Sequence, residues 1–180
     1  MSDIDYEAKP LSRVNIRDFA TNVRSAVGYS KSPFIPIDDL LEFVLPKVLE
    51  GFSYDVWSEE EMGRSHGLAD PETCTIILRE DVYIGACDGV GRDRMTVSHE
   101  LGHLLLHQKD RLVLRRGTGA PKAYKDPEWQ AKCFAGEFLI AHTLVNQFSS
   151  LDEVASAFGV SVPAARVQLE VFAKDDIWQK

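Results

Sequence analysis

The pentamer His99-Glu100-Leu101-Gly102-His103 constrains this chain more than any other stretch, because it lies inside the strongest helical pattern, from Asp93 to His107. At about 100° per residue, His103 falls about 40° from His99, and Glu100 about 100° from it. Both imidazoles therefore share one helix face, one turn apart, and can grip a single metal ion, with the carboxylate flanking that face. Leu101, Leu104 and Leu105 fall on the opposite side and read as the face that enters a core. One helix thus carries a chemical face and a structural face.

A catalytic zinc takes three protein ligands and keeps a further position for water. The downstream candidates for the third are His107, Glu128, Glu137 and His142. His107 shares the face but lies about 6 Å beyond His103 along the axis, too far for one ion to take all three histidines from a straight helix. It reads instead as lining the cleft or capping the helix end. Asp126 and Pro127 are a cap and first-turn signal for a helix over 127–142. Glu128 opens that helix with Ala131 and Ala135 on its side, a small-residue stripe that lets two helices approach closely. Glu137 points about 180° away. The stripe favours Glu128 as ligand; the competing account of Glu128 is a first-turn charge matching the helix dipole.

The remaining pattern is α+β. A helix is expected over 15–28, with Asn15 as its cap, and a second over 37–44 that Pro46 bends or ends. Ser53–Trp57 and Thr75–Leu78 read as two strands of a small sheet, separated by an acidic stretch. Gly85–Gly91 matches neither glycine-rich phosphate motif and reads as a flexible lead-in to the metal helix. Leu112–Leu114 is a possible strand, and Gly117–Pro121 is rich in turn residues. The tail carries a capping box at Ser150–Glu153, a stop at Gly159 and a last amphipathic segment from Val162 to Phe172 with Pro163 in its first turn. This tail has a helix-turn-helix look. The expected division is a helical segment over 1–30, a core over 31–145 and a helical subdomain over 146–180 packed on that core. His66 reads as a turn residue, and Cys87 and Cys133 as small hydrophobes.

The two blocks also resemble a family. Arg94-Met-Thr-Val-Ser98 followed by His99-Glu-Leu-Gly-His-Leu-Leu-Leu-His107 is similar to the ImmA/IrrE metallopeptidases, whose pattern runs R-x-T-x-A-H-E-x-G-H-x-x-x-H; Ser98 replaces the usual Ala. Glu128-Trp-Gln-Ala-Lys-Cys-Phe-Ala-Gly-Glu-Phe-Leu-Ile140 resembles the second block, E-x-x-A-x-x-F-A-x-x-L-L-M-P, with Ala141 where Pro is frequent. The resemblance implies a zincin-like fold, Zn2+ held by His99, His103 and Glu128, and Glu100 as general base. It further implies cleavage of a helix-turn-helix transcriptional repressor, which relieves repression. For stabilising the oxyanion, Tyr124, His107 and His142 are the candidates by position or type.

Charge narrows the alternatives. The 180 residues carry 20 Lys+Arg against 28 Asp+Glu, a net −8. Phosphate neutralisation needs a basic surplus, so no direct nucleic-acid partner is expected. The tail over 150–180 is itself acidic, with 3 basic and 5 acidic residues, which disfavours a DNA-binding regulator. A docking partner of a repressor or antitoxin that never turns over would not need Glu100, so its presence favours an enzyme. No apolar run approaches the roughly 18 residues a membrane span needs. The opening residues lack a secretory pattern, and three cysteines suit a reducing compartment, so a cytoplasmic protein is expected. Gln108–Pro127 holds 6 basic and 2 acidic residues and reads either as overhanging the cleft or as a solvated loop, while the acidic remainder would attract a basic protein partner.

Overall fold

The computed structural model describes residues 5–108, 112–115 and 122–179. In chain order the elements are β1 (Asp5–Ala8), α1 (Arg13–Ala26), α2 (Ile37–Asp39), α3 (Leu45–Val48), β2 (Ser53–Trp57), α4 (Glu59–Met62), β3 (Gly67–Asp70) and β4 (Thr75–Arg79). They continue with α5 (Glu80–Cys87), α6 (Gly91–Leu106), β5 (Leu112–Arg115), α7 (Pro127–Leu139), α8 (Leu151–Phe158) and α9 (Val162–Lys174). The architecture is α+β and fits the zincin-like arrangement, with the metal-motif helix α6 packed against a small sheet. Strand order is β2-β4-β3, with β2 parallel and β3 antiparallel to β4. β1 pairs separately with β5, antiparallel.

Several local expectations are corrected. Ser12, not Asn15, caps α1: the Asn15 amide donates to Ser12 Oγ at 3.1 Å, while Asn15 Oδ1 accepts from the Ser12 amide. Asn15 is the return half of a capping box. Pro46 neither ends nor breaks its helix. A π turn over Leu40–Val44 precedes it, and the Leu45 amide bonds back to Leu40 O. That wider turn makes room for a ring lacking an N–H donor. The acidic stretch contains both α4, capped by Ser58, and strand β3. The lead-in Gly85–Gly91 is not a loop throughout, since Gly85–Cys87 complete α5. Ser53–Trp57 is a strand as expected, and Thr75–Leu78 extends by one residue to Arg79. The turn-rich stretch over 117–121 lies outside the described residues, as does much of the basic segment.

α6 and α7 pack closely along their length, and the reason is local. A Cβ on Gly102 would stand 3.2 Å from Ala131 Cα and 3.1 Å from the Phe134 ring. Glycine on one helix and alanine on the other let the backbones nearly touch. Val97, Leu101 and Leu104 are buried, and Leu105 only partly. One hydrophobic cluster runs from Ile16 to Trp178 and draws on both ends of the chain.

The tail is tied to α6 through Arg94. This side chain is fully buried and hydrogen-bonds no carboxylate among the described residues. Its guanidinium donates to Gly159 O at 2.7 Å, Ile35 O at 2.9 Å and Phe158 O at 3.3 Å, and lies 4.0 Å from the centre of the Phe34 ring. Gly159 takes the left-handed conformation that ends α8, with φ 63°. Two carbonyls freed by that helix end are the ones Arg94 satisfies.

Candidate metal centre

Helix phase and helix approach together bring three side chains to one point. His99 and His103 leave α6 one turn apart, and their Nε2 atoms stand 3.0 Å apart. Glu128 stands three residues before Ala131, the point of closest approach, so its carboxylate lies over the histidines. Glu128 Oε2 is 3.3 Å from His99 Nε2, and Oε1 is 3.1 Å from His103 Nε2. One ligand atom from each residue falls within 4.8 Å of the others, a spacing that a single metal ion can bridge. Asp126 fixes the start of α7 by accepting the Glu128 amide at 3.0 Å.

The site's electrostatics suit that donor set. Burial pushes the His99 and His103 imidazoles below their usual value, His103 to about 4, with His99 and His107 adding like-charge repulsion at His103. Both are therefore neutral near pH 7, the form that binds metal. Glu100 is 8% exposed, and burial pushes its carboxyl up to about 7, with Glu128 adding repulsion. A carboxyl with a proton affinity in that range can accept and return a proton near neutral pH.

Two residues hold Glu100 and His103 in place from outside the motif. Gly67, at the head of β3, has no side chain because Glu100 occupies the space: a Cβ there would lie 2.6 Å from Glu100 Cγ. His107 shares its Nδ1 with His103 Nδ1 at 2.9 Å, and its Nε2 meets Gln130 Oε1 at 3.1 Å. Gln130 Nε2 donates in turn to the carbonyls of Lys9 and Tyr124, each at 2.9 Å. His107 thus stands behind a ligand rather than in the ligand set, as its axial offset requires.

The other sequence candidates lie elsewhere or act differently. Glu137 is buried against α1, where Arg17 grips it through Nε at 3.0 Å and Nη2 at 3.2 Å. His142 is half-buried near that pair and feels Arg17, Glu137 and Asp18. Tyr124 contributes its carbonyl, to Gln130 and to the Leu11 amide, and its side chain is 41% exposed. His66 is no ordinary turn residue. It precedes β3, lines the cleft beside His99 and Glu100, and meets Arg92 Nη2 at 3.3 Å. Cys133 is buried as expected for a small hydrophobe, whereas Cys87 is exposed; all three thiols are free.

Gln130, Gly67 and Arg94 escaped the sequence reading as functional supports. Each acts through a partner distant in sequence; Arg94 stands in the first family block, but its spacing there does not reveal the carbonyls it holds, and no local spacing marks Gln130 or Gly67. For Gln130 the expected consequence is measurable. Gln130→Leu removes the hydrogen bond that orients His107, and divalent-metal affinity should fall about 10–100-fold. Competition against a chromophoric chelator, on protein whose circular dichroism is unchanged, reads this directly. An unchanged affinity would show that His107 needs no such support.

The family model described as IrrE N-terminal-like domain, Peptidase_M78, matches residues 58–170, a span that holds α6, Glu128 and both C-terminal helices up to Glu170. Comparison with curated proteins gives no match.

Proposed function

The chain belongs to the Peptidase_M78 family, and from that premise we propose that it is a zinc-dependent endopeptidase whose substrate is a helix-turn-helix transcriptional repressor. The observation that carries this reading is the convergence of His99, His103 and Glu128 beside the buried Glu100, at the edge of an open cavity of about 520 Å³. Two imidazoles and one carboxylate are the donor set of a catalytic zinc, leaving a position for substrate or water. When bound, the metal supplies Lewis acidity, polarising the scissile carbonyl and making water a better nucleophile.

The chain's own residues do the rest. Glu100 takes the proton of the attacking water and passes it to the leaving amine. Gly67 keeps Glu100 at the cleft side of α6. β3 is an edge strand among the described residues, with Gly67 and His66 lining the cleft, so an extended peptide can add to it beside Glu100. The N-terminal end of α9, at Ser161 and Ala164, walls the same cavity, and α9 buries Ala165, Leu169 and Phe172. Those helices serve the cleft and the core rather than a DNA groove. Among the described residues no helix is long and apolar enough to cross a membrane, and the free thiols suit the cytoplasm.

The test is incubation of the zinc-loaded chain with helix-turn-helix repressors from the same genome. Discrete repressor fragments are expected, lost after treatment with 1,10-phenanthroline and regained with zinc. Metal analysis should find one zinc per chain. An intact repressor in the presence of loaded enzyme would remove that substrate, and a chain that takes up no metal would remove the enzymatic reading.

A further inference from the structure

We propose that the cleft holds a carboxylate-binding subsite made by Arg92 and Lys132, so that peptides are gripped, and cut, beside a carboxylate group. The proposal rests on the metallopeptidase reading above and names what that site selects. Arg92 enters from the first turn of α6 and Lys132 from α7, and both line the cavity that contains His99 and Glu100. Neither forms an ion pair with a carboxylate among the described residues; the contact of Arg92 is the His66 ring at 3.3 Å. Other cations nearby are engaged: Arg17 of α1 grips Glu137 and Asp175, and Arg94 of α6 is spent on carbonyls.

Two unpaired cations facing one cavity stand out in a chain of net charge −8. Their surroundings raise the value of an anion there. Met95, Ala135 and Ala164 give the cavity apolar walls, which strengthen a charge-assisted hydrogen bond relative to open water. Lys132 lines the same cavity as His99. A cation so near a metal site weakens metal binding by repulsion, and an anionic group on the substrate offsets that repulsion when the peptide arrives. The guanidinium offers the planar fork that matches a carboxylate, and the ammonium a mobile point charge. The carboxylate can come from an acidic side chain or from a peptide's free C-terminus.

Four hydroxamate-capped dipeptides separate these sources: hydroxamate-Glu-Ala and hydroxamate-Gln-Ala, each with a free or an amidated C-terminus. The hydroxamate anchors each compound on the metal, and calorimetry with the zinc-loaded chain reads affinity without requiring turnover. A compound bearing a carboxylate should bind on the order of tenfold tighter than the Gln amide. The Glu amide gains if the subsite reads side chains, and the Gln acid gains if it reads chain ends. The advantage should vanish in the Arg92→Gln, Lys132→Gln double variant, whose two positions are exposed and leave the packing intact. Equal binding of all four by the wild type, or a preference that survives in the double variant, overturns the subsite. Acetohydroxamate serves as the control for the metal itself. If it too fails to bind, the metal reading has failed and the subsite falls with it.

Discussion

Glu100→Gln should lose about 10²–10⁴-fold in peptide hydrolysis while keeping its metal. The two halves of that expectation come from one geometry. Glu100 lies outside the trio of ligand atoms contributed by His99, His103 and Glu128, so the amide leaves the metal's donors in place. Gln also has the same length and shape, so the packing against Gly67 is kept. What disappears is a buried carboxyl on the cleft wall whose proton affinity, pushed up to about 7, lets it take a proton from water near neutral pH. The metal-free variant should melt no lower than the wild type, because it exchanges a carboxylate that is costly to bury for a neutral amide. Metal analysis, hydrolysis of the repressor and a thermal melt together check this. A variant that cuts at the wild-type rate would remove Glu100 from the chemistry.

Arg94→Met should have the largest effect on stability, about 3–5 kcal/mol. Methionine approximates the length of the arginine stem but donates nothing. The carbonyls of Ile35, Phe158 and Gly159 would then be buried with those hydrogen bonds gone. Against a total of about 5–15 kcal/mol for an ordinary domain, such a loss is a large share. The guanidinium remains charged near pH 7, although burial lowers its proton affinity to about 10. Its removal also unties the α8–α9 turn from α6, and with it the cleft wall at Ser161 and Ala164. Chemical denaturation measures the loss; a change below about 1 kcal/mol would mean that other acceptors or donors take over.

The metal helix was legible because its logic is local. Four residues of separation suffice to place His99 and His103 on one face, and the leucines identify the other. Glu128 and Glu137 were separable for the same reason, since nine residues amount to half a turn of phase beyond whole turns. The structure gives that distinction a further cause: Glu137 is consumed by Arg17, from a helix more than 100 residues earlier. Strand β3 was not legible. Its sequence Gly-Leu-Ala-Asp lacks the β-branched residues that mark a strand, and it exists by pairing with β4. Of the two effects expected of Pro46, ending the helix fails, because a proline's usual effect assumes a regular α-helix before it and here the turn is already widened. His66 could not be placed in the cleft until β3 was known.

The hydrogen-bond line from His103 through His107 and Gln130 ends on the carbonyl of Lys9. The imidazole proposed as a metal ligand is thereby coupled to backbone that precedes every described helix. For protein engineering, a change that displaces the Lys9 carbonyl bears on the ring of His103. Where to alter that backbone is, for this fold, a decision about the metal.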